Sequence, residues 1–311
     1  MSRHLVIYNP IAGRGRAIKH WPEVERALIE SGVEFDVVTT SAPLEALSLA
    51  EKAPEKYSAV IAVGGDGTVH EVVNGLLRAS NEGETIALGV VPLGNGDDFA
   101  KVIPPEAAIG GKAFDWRVAV EKIAQGQTKL FDVGRLSVDQ SDSDPQYFMN
   151  GMDIGFGAQA ALNFTTVPKF LTGMAAYLAA IMKTLIDYRI PKVSIQIDGH
   201  APFEQSTTMT VVTNGRCFGS GFWICPDAIV DDGLLNVMVA DGIGRVQILS
   251  LIPKIMKGTH TSEPILKNFL AKRVVISADE SFAVEADGEV PYPQTTRLEV
   301  QVLEKKLKVI V

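Results

Sequence analysis

Apolar runs alternate with segments of helical periodicity over the first 130 residues. The runs predict strands, because short apolar stretches bounded by turn residues are typical of buried parallel strands. The predicted strands are Arg3–Tyr8, Glu34–Thr39, Ser58–Val63 and Ile86–Val91, and a helix is predicted at Trp116–Gln125. Alternating strands and helices favour right-handed βαβ units with helices on both faces of a parallel sheet. The pattern therefore predicts a doubly wound α/β domain over residues 1–130.

The pattern changes from residue 131 onward, where short runs rich in Val, Ile, Phe and Thr are separated by Gly, Asp and Pro turns. Such runs predict an antiparallel, β-sandwich-like domain over residues 131–311, with a last strand that can return to the first domain. Helical inserts are predicted near Lys169–Asp187 and Arg245–Lys257, and Ser137–Pro145 is predicted to form an exposed hairpin tip. The predicted strands are Lys129–Val138, Val193–Ile197, Met209–Thr213, Leu234–Val239, Val274–Ser277 and Leu298–Leu303. The expected fold class is α/β plus β.

Three of the N-terminal strands lead directly into glycine-rich polar turns, which we name loop 1 (Asn9–Arg16), loop 2 (Gly64–Thr68) and loop 3 (Pro92–Ala100). In an open parallel sheet the carboxyl ends of the strands lie along one edge, where ligands bind. Glycine lets the backbone approach an anion closely, and the free N–H groups of a following helix point at that anion. The three loops therefore predict a Rossmann-like nucleotide domain with a phosphate site at this edge.

Loop 2 carries a carboxylate, Asp66, inside a turn of this kind. Phosphate would repel this group unless a cation lay between them or the carboxyl handled a proton. Asp66 therefore favours Mg²⁺·ATP over bare phosphate as the ligand. The alternative is a tight strand-to-helix connection with an N-cap aspartate, because the loop matches neither G-x-x-x-x-G-K-[ST] nor G-x-G-x-x-G.

Together with motifs farther along the chain, the three loops resemble the diacylglycerol-kinase-like lipid kinases, a family that includes bacterial diacylglycerol kinases and the sphingosine and ceramide kinases. The later motifs are Asn214-Gly215, Gly219-Ser220-Gly221, Pro226-Asp227-Ala228, Asp231–Leu235 and Asp287-Gly288-Glu289. They follow the family's order and cover most of the chain. Two positions depart from the family pattern, since Asn95 replaces the usual Thr and Asp97 the usual Asn. Asp97 beside Asp98 either binds a cation or raises the pKa of one carboxyl.

The resemblance implies the residues of a nucleotide site and a catalytic site. Asp66 and Asp98 would organise the catalytic Mg²⁺, and Glu289 would be the general base for the acceptor hydroxyl. From the local residues alone, Asp98 equally suits a helix N-cap, and Glu289 follows an ordinary hairpin turn. The implied nucleotide-binding residues are Asn9, Pro10, Gly13, Arg14, Thr40, Gly64, Gly65, Asp66, Gly67, Thr68, Glu71, Gly94 and Asn95.

The resemblance also implies a second Mg²⁺ site, formed by the Asp232 side chain and the backbone carbonyls of Ile229 and Leu234. The local alternative is a solvated β-turn, because Asp-Gly is a strong hairpin signal. Thr40 has a similar alternative as a simple Ser/Thr turn. His70 is interpreted as a helix position or a hydrogen-bond partner outside the site.

The composition excludes several classes of function. The chain has 29 basic and 37 acidic residues and a net charge of −8, which argues against nucleic-acid binding because that needs a basic footprint. No signal-peptide pattern precedes the first strand, and the apolar stretch Phe170–Met182 is too short to span a bilayer. Cys217 and Cys225 lack metal-ligand spacing. These features predict a cytoplasmic protein with inert thiols and no transmembrane segment.

The sequence therefore predicts an ATP- and Mg²⁺-dependent kinase that transfers the γ-phosphoryl group to a lipid hydroxyl, with diacylglycerol favoured and phosphatidic acid as the product. The lipid would be presented at a membrane surface, with peripheral association during turnover, and a homodimer is compatible with the chain. The alternatives are a kinase for a sphingoid, phosphatidylglycerol or soluble acceptor, or a non-catalytic nucleotide sensor. NAD kinases share the Gly-Gly-Asp-Gly-Thr loop but lack loop 3 and the Asp-Asp-Gly-Leu-Leu segment.

Overall fold

The computed structural model of the protein describes residues 3–103, 111, 113–138, 141–164, 166–168, 171, 174–219 and 221–311. At 141–144, 174–177 and 187 it describes the backbone element only. Some predicted features fall outside these ranges, namely the hairpin tip at Asp139 and Gln140, the helix start at Lys169 and Phe170, and Ser220 of the glycine motif.

The N-terminal half is a four-stranded parallel sheet in the order β4-β3-β1-β2, followed along the same sheet by strands of the C-terminal half. Its strands are β1 (His4–Tyr8), β2 (Phe35–Thr39), β3 (Ala59–Gly64) and β4 (Ala87–Pro92). Its helices are α1 (Ala12–Glu30), α2 (Glu45–Lys52), α3 (Asp66–Ala79), α4 (Asp98–Val102) and α5 (Trp116–Gln125), and a 3₁₀ turn (Ala53–Glu55) follows α2.

Apolar side chains cover both faces of this sheet. All six residues of β3 are buried, as the continuous apolar sequence of the strand requires for a sheet enclosed on both sides. On one face α2 and α3 pack through residues such as Ala50 and Val72, and on the other α1 and α5 pack through Leu28 and Trp116. The predicted doubly wound α/β architecture is confirmed.

The C-terminal half is an antiparallel β-sandwich-like assembly with helices on one side, as predicted. Its strands are β5 (Thr128–Val138), β6 (Ser141–Phe148), β7 (Gly151–Gly155), β8 (Lys192–Ile197), β9 (Phe203–Thr213), β10 (Leu235–Asp241), β11 (Leu266–Ala271), β12 (Arg273–Ala286) and β13 (Glu289–Ile310). Its helices are α6 (Phe156–Phe164), α7 (Met174–Asp187) and α8 (Arg245–Met256). No helix in the described ranges combines the length and the apolarity needed to cross a bilayer.

Two long strands, β9 and β12, connect different parts of this assembly. Both β9 and β12 pair with β7 along one part of their length and with β8 along another. Because each strand changes partner, the sheet closes around a buried cluster that includes Ile154, Ile195, Val237 and Val284. The cluster is the core of the C-terminal half.

Several elements differ from the sequence prediction. β6, β7, α6 and β11 were not predicted, and β12 and β13 are far longer than the predicted strands. In β12 the polar residues 279–281 interrupt the apolar alternation while the backbone stays extended, so periodicity identified only part of the strand. Asp287 and Gly288, both at positive φ, turn β12 into β13.

The two halves are joined by the ends of β5 and β13. Val309 of β13 pairs in parallel with Leu88 of β4, and Ile310 pairs with Thr128 at the start of β5. The Asp132 carboxylate on β5 accepts hydrogen bonds from the backbone N–H of Gly233 and Lys305, each at 2.7 Å. The last strand is thus hydrogen-bonded to the N-terminal sheet, while the domain boundary at residue 130 stays a prediction.

Gly75 lies where α3 packs against α2, so a substitution there tests how closely the two helices are packed. Alanine normally favours a helix interior over glycine by about 1 kcal/mol. At Gly75, however, a Cβ would lie 2.3 Å from Leu47 O and 2.8 Å from Ala50 Cβ. Because α2 would have to move, we expect Gly75→Ala to lower the free energy of unfolding by about 1–3 kcal/mol, measured by urea denaturation.

The matched control is Gly244→Ala, where the nearest atom to a Cβ is 3.9 Å away. Because Gly244 is the N-cap of α8, where Ala is less favourable than Gly, this change should lower the free energy of unfolding by at most about 1 kcal/mol, with no contribution from close contact. A Gly75→Ala variant more stable than the parent would show that the α2–α3 contact is not close-packed.

Candidate active site

The three glycine-rich loops meet at the carboxyl edge of β1, β3 and β4, which are neighbours in the sheet. Asn9 Nδ2 of loop 1 donates to Thr68 Oγ1 of loop 2 at 2.9 Å. Arg16 Nη1 donates to Gly94 O of loop 3 at 2.6 Å. Loop 1 is therefore hydrogen-bonded to loops 2 and 3, although the three loops are far apart in the sequence.

Glycine is required where these loops touch. Gly13 has a φ of +59°, and a Cβ there would lie 2.1 Å from Leu93 O. A Cβ on Gly94 would lie 2.5 Å from Gly65 Cα, so loops 2 and 3 are in backbone contact. Gly65 precedes the first helical residue of α3, whose first-turn N–H groups have no partner inside the helix. Free N–H groups at a helix start beside the carboxyl edge of a parallel sheet suit a phosphate.

Three carboxyl groups lie beside this space: Asp66, Asp97 and Asp98. Burial, together with the neighbouring Asp98 and Asp97, raises the pKa of Asp66 to about 7. Burial also raises the pKa of Asp97 to about 6. Asp98 is ion-paired with Lys101, whose Nζ is 2.7 Å from Asp98 Oδ1. A cation near Asp66 would counter both causes of the raised pKa, burial first and then the neighbouring carboxylates.

The structure corrects the two N-cap alternatives. Gly65, not Asp66, is the residue before α3, and Asp97, not Asp98, is the residue before α4. Asp97 has a left-handed φ of +52°, a conformation that Asn and Asp adopt more readily than other non-glycine residues. Its Oδ1 accepts the Gly94 N–H at 2.8 Å, a hydrogen bond that an Asn could make equally well. Asp97 therefore shapes loop 3.

The donor set fits a nucleotide-bound Mg²⁺. Among the described residues no three acidic, His or Cys side chains are grouped so as to hold a metal by themselves. Mg²⁺ at phosphate sites commonly takes only one or two carboxylates and completes its shell with phosphate oxygens and water. Asp66, inside the predicted phosphate turn, is suited to such a role, and its carboxyl accepts hydrogen bonds from the backbone N–H of Phe99, at 3.3 Å, and of Asp98.

Glu289 faces this space from the opposite half of the molecule. It is the first residue of β13, and its Oε1 would lie 3.4 Å from a Cβ placed on Gly67 of loop 2. The carboxylate is exposed to solvent between the two halves. A residue 222 positions farther along the chain is thereby brought against the phosphate turn.

A buried carboxylate fixes the turn before Glu289. Asp287 accepts hydrogen bonds from the backbone N–H of three consecutive residues, 149, 150 and 151, at 2.8, 2.9 and 3.1 Å. His70 Nδ1 on α3 lies 3.4 Å from Asp287 Oδ2. One turn farther along α3, Asn74 donates to Tyr147 O and accepts from Tyr147 N–H, each at 3.0 Å. Helix α3 is therefore tied both to the turn before Glu289, through His70, and to the end of β6, through Asn74.

The sequence prediction left His70 and Asn74 out of the site, although both connect α3 to the C-terminal half. His70 proves to be a hydrogen-bond partner, which was one of its two interpretations. Both residues are polar, buried and four positions apart on a helix that otherwise buries apolar side chains. Such a polar pair on a buried helix face is a signal that a partner element supplies the complementary groups.

Other predicted nucleotide contacts have structural partners. Thr40 N–H and hydroxyl both donate to Tyr8 O, at 2.8 and 3.4 Å, so Thr40, directly after β2, lies beside loop 1. Glu71 Oε2 accepts the Ala46 N–H at 3.1 Å and so anchors the first turn of α2. Arg14 lies at the edge of the large cavity described below. The nucleotide roles of these residues stay predictions.

The proposed second metal loop is attached to β5. Asp232 Oδ1 accepts the Leu234 N–H at 3.0 Å, which makes a local Asp turn. Lys129 Nζ lies 2.9 Å from Asp231 Oδ2, and Asp132 accepts the Gly233 N–H. The Asp232 side chain is exposed, and the metal site with Ile229 and Leu234 stays a prediction.

An apolar cavity of about 500 Å³ extends from the loops into the C-terminal half. Arg14, Asn95 and Gly288 lie at the end nearest the loops. The rest of the wall is formed by α6, α7, α8 and the sheet, with Phe156, Ile181, Phe218, Phe222, Met238, Ile248, Leu251, Ile252 and Ile255 among its residues. The cavity therefore connects an apolar interior with the phosphate-binding edge.

Two buried acids interrupt this apolar wall. Asp153 on β7 and Glu285 on β12 are direct cross-strand partners, and both line the cavity. Burial raises the pKa of Asp153 to about 7 and that of Glu285 well above its usual range. Glu285 Oε1 bonds the Gly288 N–H, while its Oε2 has no hydrogen-bond partner among the described residues. The pair offers a polar contact to a ligand in the cavity.

Comparison with known proteins follows the same division into halves. Residues 3–136 match the diacylglycerol kinase catalytic domain family, and residues 152–311 match the YegS C-terminal NAD kinase beta sandwich-like domain family. The chain is 28% identical over 290 residues to the diacylglycerol kinase of Bacillus subtilis strain 168, covering 93% of this chain and 90% of that protein. It is 28% identical over 293 residues to the diacylglycerol kinase of Mycobacterium tuberculosis H37Rv, covering 92% and 88%.

Solved structures share the fold. A putative diacylglycerol kinase from Bacillus anthracis str. Sterne superposes with a TM-score of 0.76 at 22% identity, covering 99% of this chain and 96% of that one. Yeast NADH kinase complexed with NADH superposes with a TM-score of 0.54 at 12% identity, covering 100% and 83%. With the two family matches, which confirm the resemblance found in the sequence, these results identify the enzyme class. The chain belongs to the diacylglycerol-kinase-like family of lipid kinases.

Proposed function

We propose that this protein uses Mg²⁺ and ATP to phosphorylate the hydroxyl of diacylglycerol, giving phosphatidic acid. The observation that carries the proposal is the apolar cavity of about 500 Å³ that ends at loops 1 and 3, with Arg14 and Asn95 in its wall. Cavities of this size are typical of sites for small ligands. An acyl chain in the cavity would leave the glycerol hydroxyl at its Gly288 end, close to Glu289.

The nucleotide would bind across loops 1, 2 and 3. Its phosphates would meet the first-turn N–H groups of α3, and Asp66 would hold Mg²⁺ with phosphate oxygens and water. The ion would supply neutralisation of phosphate charge during transfer. Asp98, whose Oδ1 lies 2.7 Å from Lys101 Nζ, would support this ion from the start of α4.

Glu289 would accept the proton of the acceptor hydroxyl. An alcohol is a weak nucleophile at neutral pH, and a positioned base speeds such a transfer. The turn that carries Glu289 is fixed by the Asp287 hydrogen bonds to residues 149–151, and the carboxylate faces Gly67 of the phosphate turn. Base and phosphate are thus presented to the same space.

One observation favours a second acceptor class, a sphingoid lipid with an amine beside its hydroxyl. Asp153 and Glu285 place two acids on the wall of an otherwise apolar cavity. A protonated amine would compensate two buried carboxylates, whereas a neutral glyceride would leave them sharing a proton. The two classes are separated by offering each lipid with labelled ATP. The names of the curated relatives favour diacylglycerol.

Labelled ATP and a total lipid extract test the proposal directly, and Asp66→Asn supplies the site control. We expect labelled phosphatidic acid from the parent and a loss of kcat of about 10²- to 10³-fold in Asp66→Asn, because the cation loses its carboxylate. The matched variant is Asp97→Asn, which keeps the left-handed turn and the hydrogen bond to Gly94. It should retain activity within about threefold. Equal activity of Asp66→Asn and the parent would exclude the metal role.

Glu289→Gln tests the base. The amide keeps the size of the side chain but cannot take the proton, so kcat should fall by about 10²- to 10⁴-fold with little change in KM for ATP. The acidic limb of the pH–rate profile should disappear. Glu280→Gln, an exposed change on β12, is the control and should have no effect. A Glu289→Gln enzyme with the parental kcat and acidic limb would remove Glu289 from the mechanism.

The raised pKa of Asp66 predicts a pH-dependent stability of the nucleotide-free protein. The folded pKa of about 7 lies above the unfolded value of 3.8, so the unfolded chain releases this proton first as pH rises. The contribution of Asp66 to folding is therefore fully present below pH 4 and is lost between about pH 4 and 7. Asp66→Asn should raise the free energy of unfolding at pH 8 by up to about 4 kcal/mol and have little effect at pH 4, measured by urea denaturation. A variant equally destabilised at both pH values would contradict this origin.

A further inference from the structure

The outer faces of α7 and α8 carry exposed apolar side chains among polar and basic ones. In α7, Leu178, Met182 and Ile186 recur every fourth residue and are exposed, and in α8 Val246 and Leu249 are exposed as well. Ile186 is 68% and Val246 81% accessible to solvent. A surface helix normally turns polar residues outward, so a solvent-facing stripe of this kind marks an interaction site.

The two stripes belong to one surface. The Arg245 guanidinium at the start of α8 donates to Ile186 O at the end of α7, at 2.7 Å. Ile190, exposed just after α7, would be 3.1 Å from a Cβ on Gly242, two residues before the cap of α8. We call the patch formed by residues 178, 182, 186, 190, 246 and 249 the α7–α8 surface.

The inner faces of the same helices line the lipid cavity. Ile181 and Leu185 of α7 form a buried cluster with Ile248 and Leu251 of α8. Phe164, at the end of α6, both lines the cavity and is 43% exposed. The α7–α8 surface and the cavity are therefore separated by one layer of helices and meet at an apolar edge.

The charged residues beside this surface are opposite in sign to the net charge of the whole chain. Both charged residues of α8, Arg245 and Lys254, are basic, although Lys254 is ion-paired with Glu263, and Lys257 follows directly. Lys183 lies between Met182 and Ile186 in sequence on α7. The chain as a whole has a net charge of −8, so an anionic partner would be repelled by most of the protein and attracted here.

We propose that the α7–α8 surface docks on an anionic lipid bilayer, so that the acceptor passes from the bilayer into the cavity past Phe164. This proposal rests on the proposed lipid kinase function. Moving an acyl chain through water costs about 0.8 kcal/mol per methylene group, so an apolar route from membrane to cavity removes a large barrier. Exposed apolar residues flanked by basic ones are the composition that interfacial helices use. A second copy of the chain is the competing occupant.

Vesicle co-flotation tests the docking. Met182→Glu and Val246→Glu place a charge on the surface without touching the cavity wall, and Ile29→Glu, on the exposed face of α1, is the matched control. With vesicles of phosphatidylcholine and phosphatidylglycerol, the first two variants should bind at least about tenfold more weakly than the parent and the control. Lys257→Glu should weaken binding to these vesicles but not to pure phosphatidylcholine. Unchanged binding in all three surface variants would overturn the proposal.

Two substrate forms separate this proposal from the proposed function. Short-chain diacylglycerol dispersed in water needs no membrane, so Met182→Glu and Val246→Glu should phosphorylate it at the parental rate and lose activity only on long-chain diacylglycerol in vesicles. A parent inactive on both forms would refute the proposed function itself. Variants that match the parent on vesicles would refute only the docking surface. A parental dimer that these variants convert to monomers, with vesicle binding intact, would assign the surface to self-association and overturn the proposal.

Discussion

The Asp287 carboxylate is buried where the nucleotide helix α3 meets the C-terminal half, and the geometry of the site depends on its hydrogen bonds. It accepts three consecutive backbone N–H groups and lies 3.4 Å from the His70 ring. A buried carboxylate without such partners is costly, so a shift of the turn would leave an uncompensated charge. The constraint therefore fixes the turn, and with it Glu289, relative to loop 2.

The phosphate edge is arranged for a ligand rather than for stability. Asp66, Asp97 and Asp98 are neighbours in a poorly solvated space, and the pKa values of Asp66 and Asp97 are raised as a result. Only Asp98 has a cationic partner at short range within the described residues, Lys101. Carboxylates that repel one another in the free protein gain most from a bound cation, which links this local cost to the proposed use of Mg²⁺.

The same fold serves kinases with different acceptors, as the superposition on a yeast NADH kinase shows at the level of architecture. In this chain the helices α6, α7 and α8 enclose an apolar cavity beside the sheet. Their inner residues form the wall, and residues such as Met182 and Val246 turn outward. Apolar side chains exposed opposite a buried apolar face gain free energy when an apolar partner covers them, which is the physical reason to connect the cavity with a bilayer.

The sequence by itself determined the N-terminal architecture and the order of the loops. The continuous apolar run of β3 and the glycines of loop 2 are local signals, and the rule that carboxyl ends of parallel strands share an edge then brings loops 1, 2 and 3 together. Only the tertiary structure decided that His70 meets Asp287 and that Asp153 faces Glu285, because these pairs are 217 and 132 positions apart. Periodicity carries no information on such contacts. It also could not reveal the cavity, whose walls come from three helices and a sheet that approach one another only when the long strands β9 and β12 bend across the core.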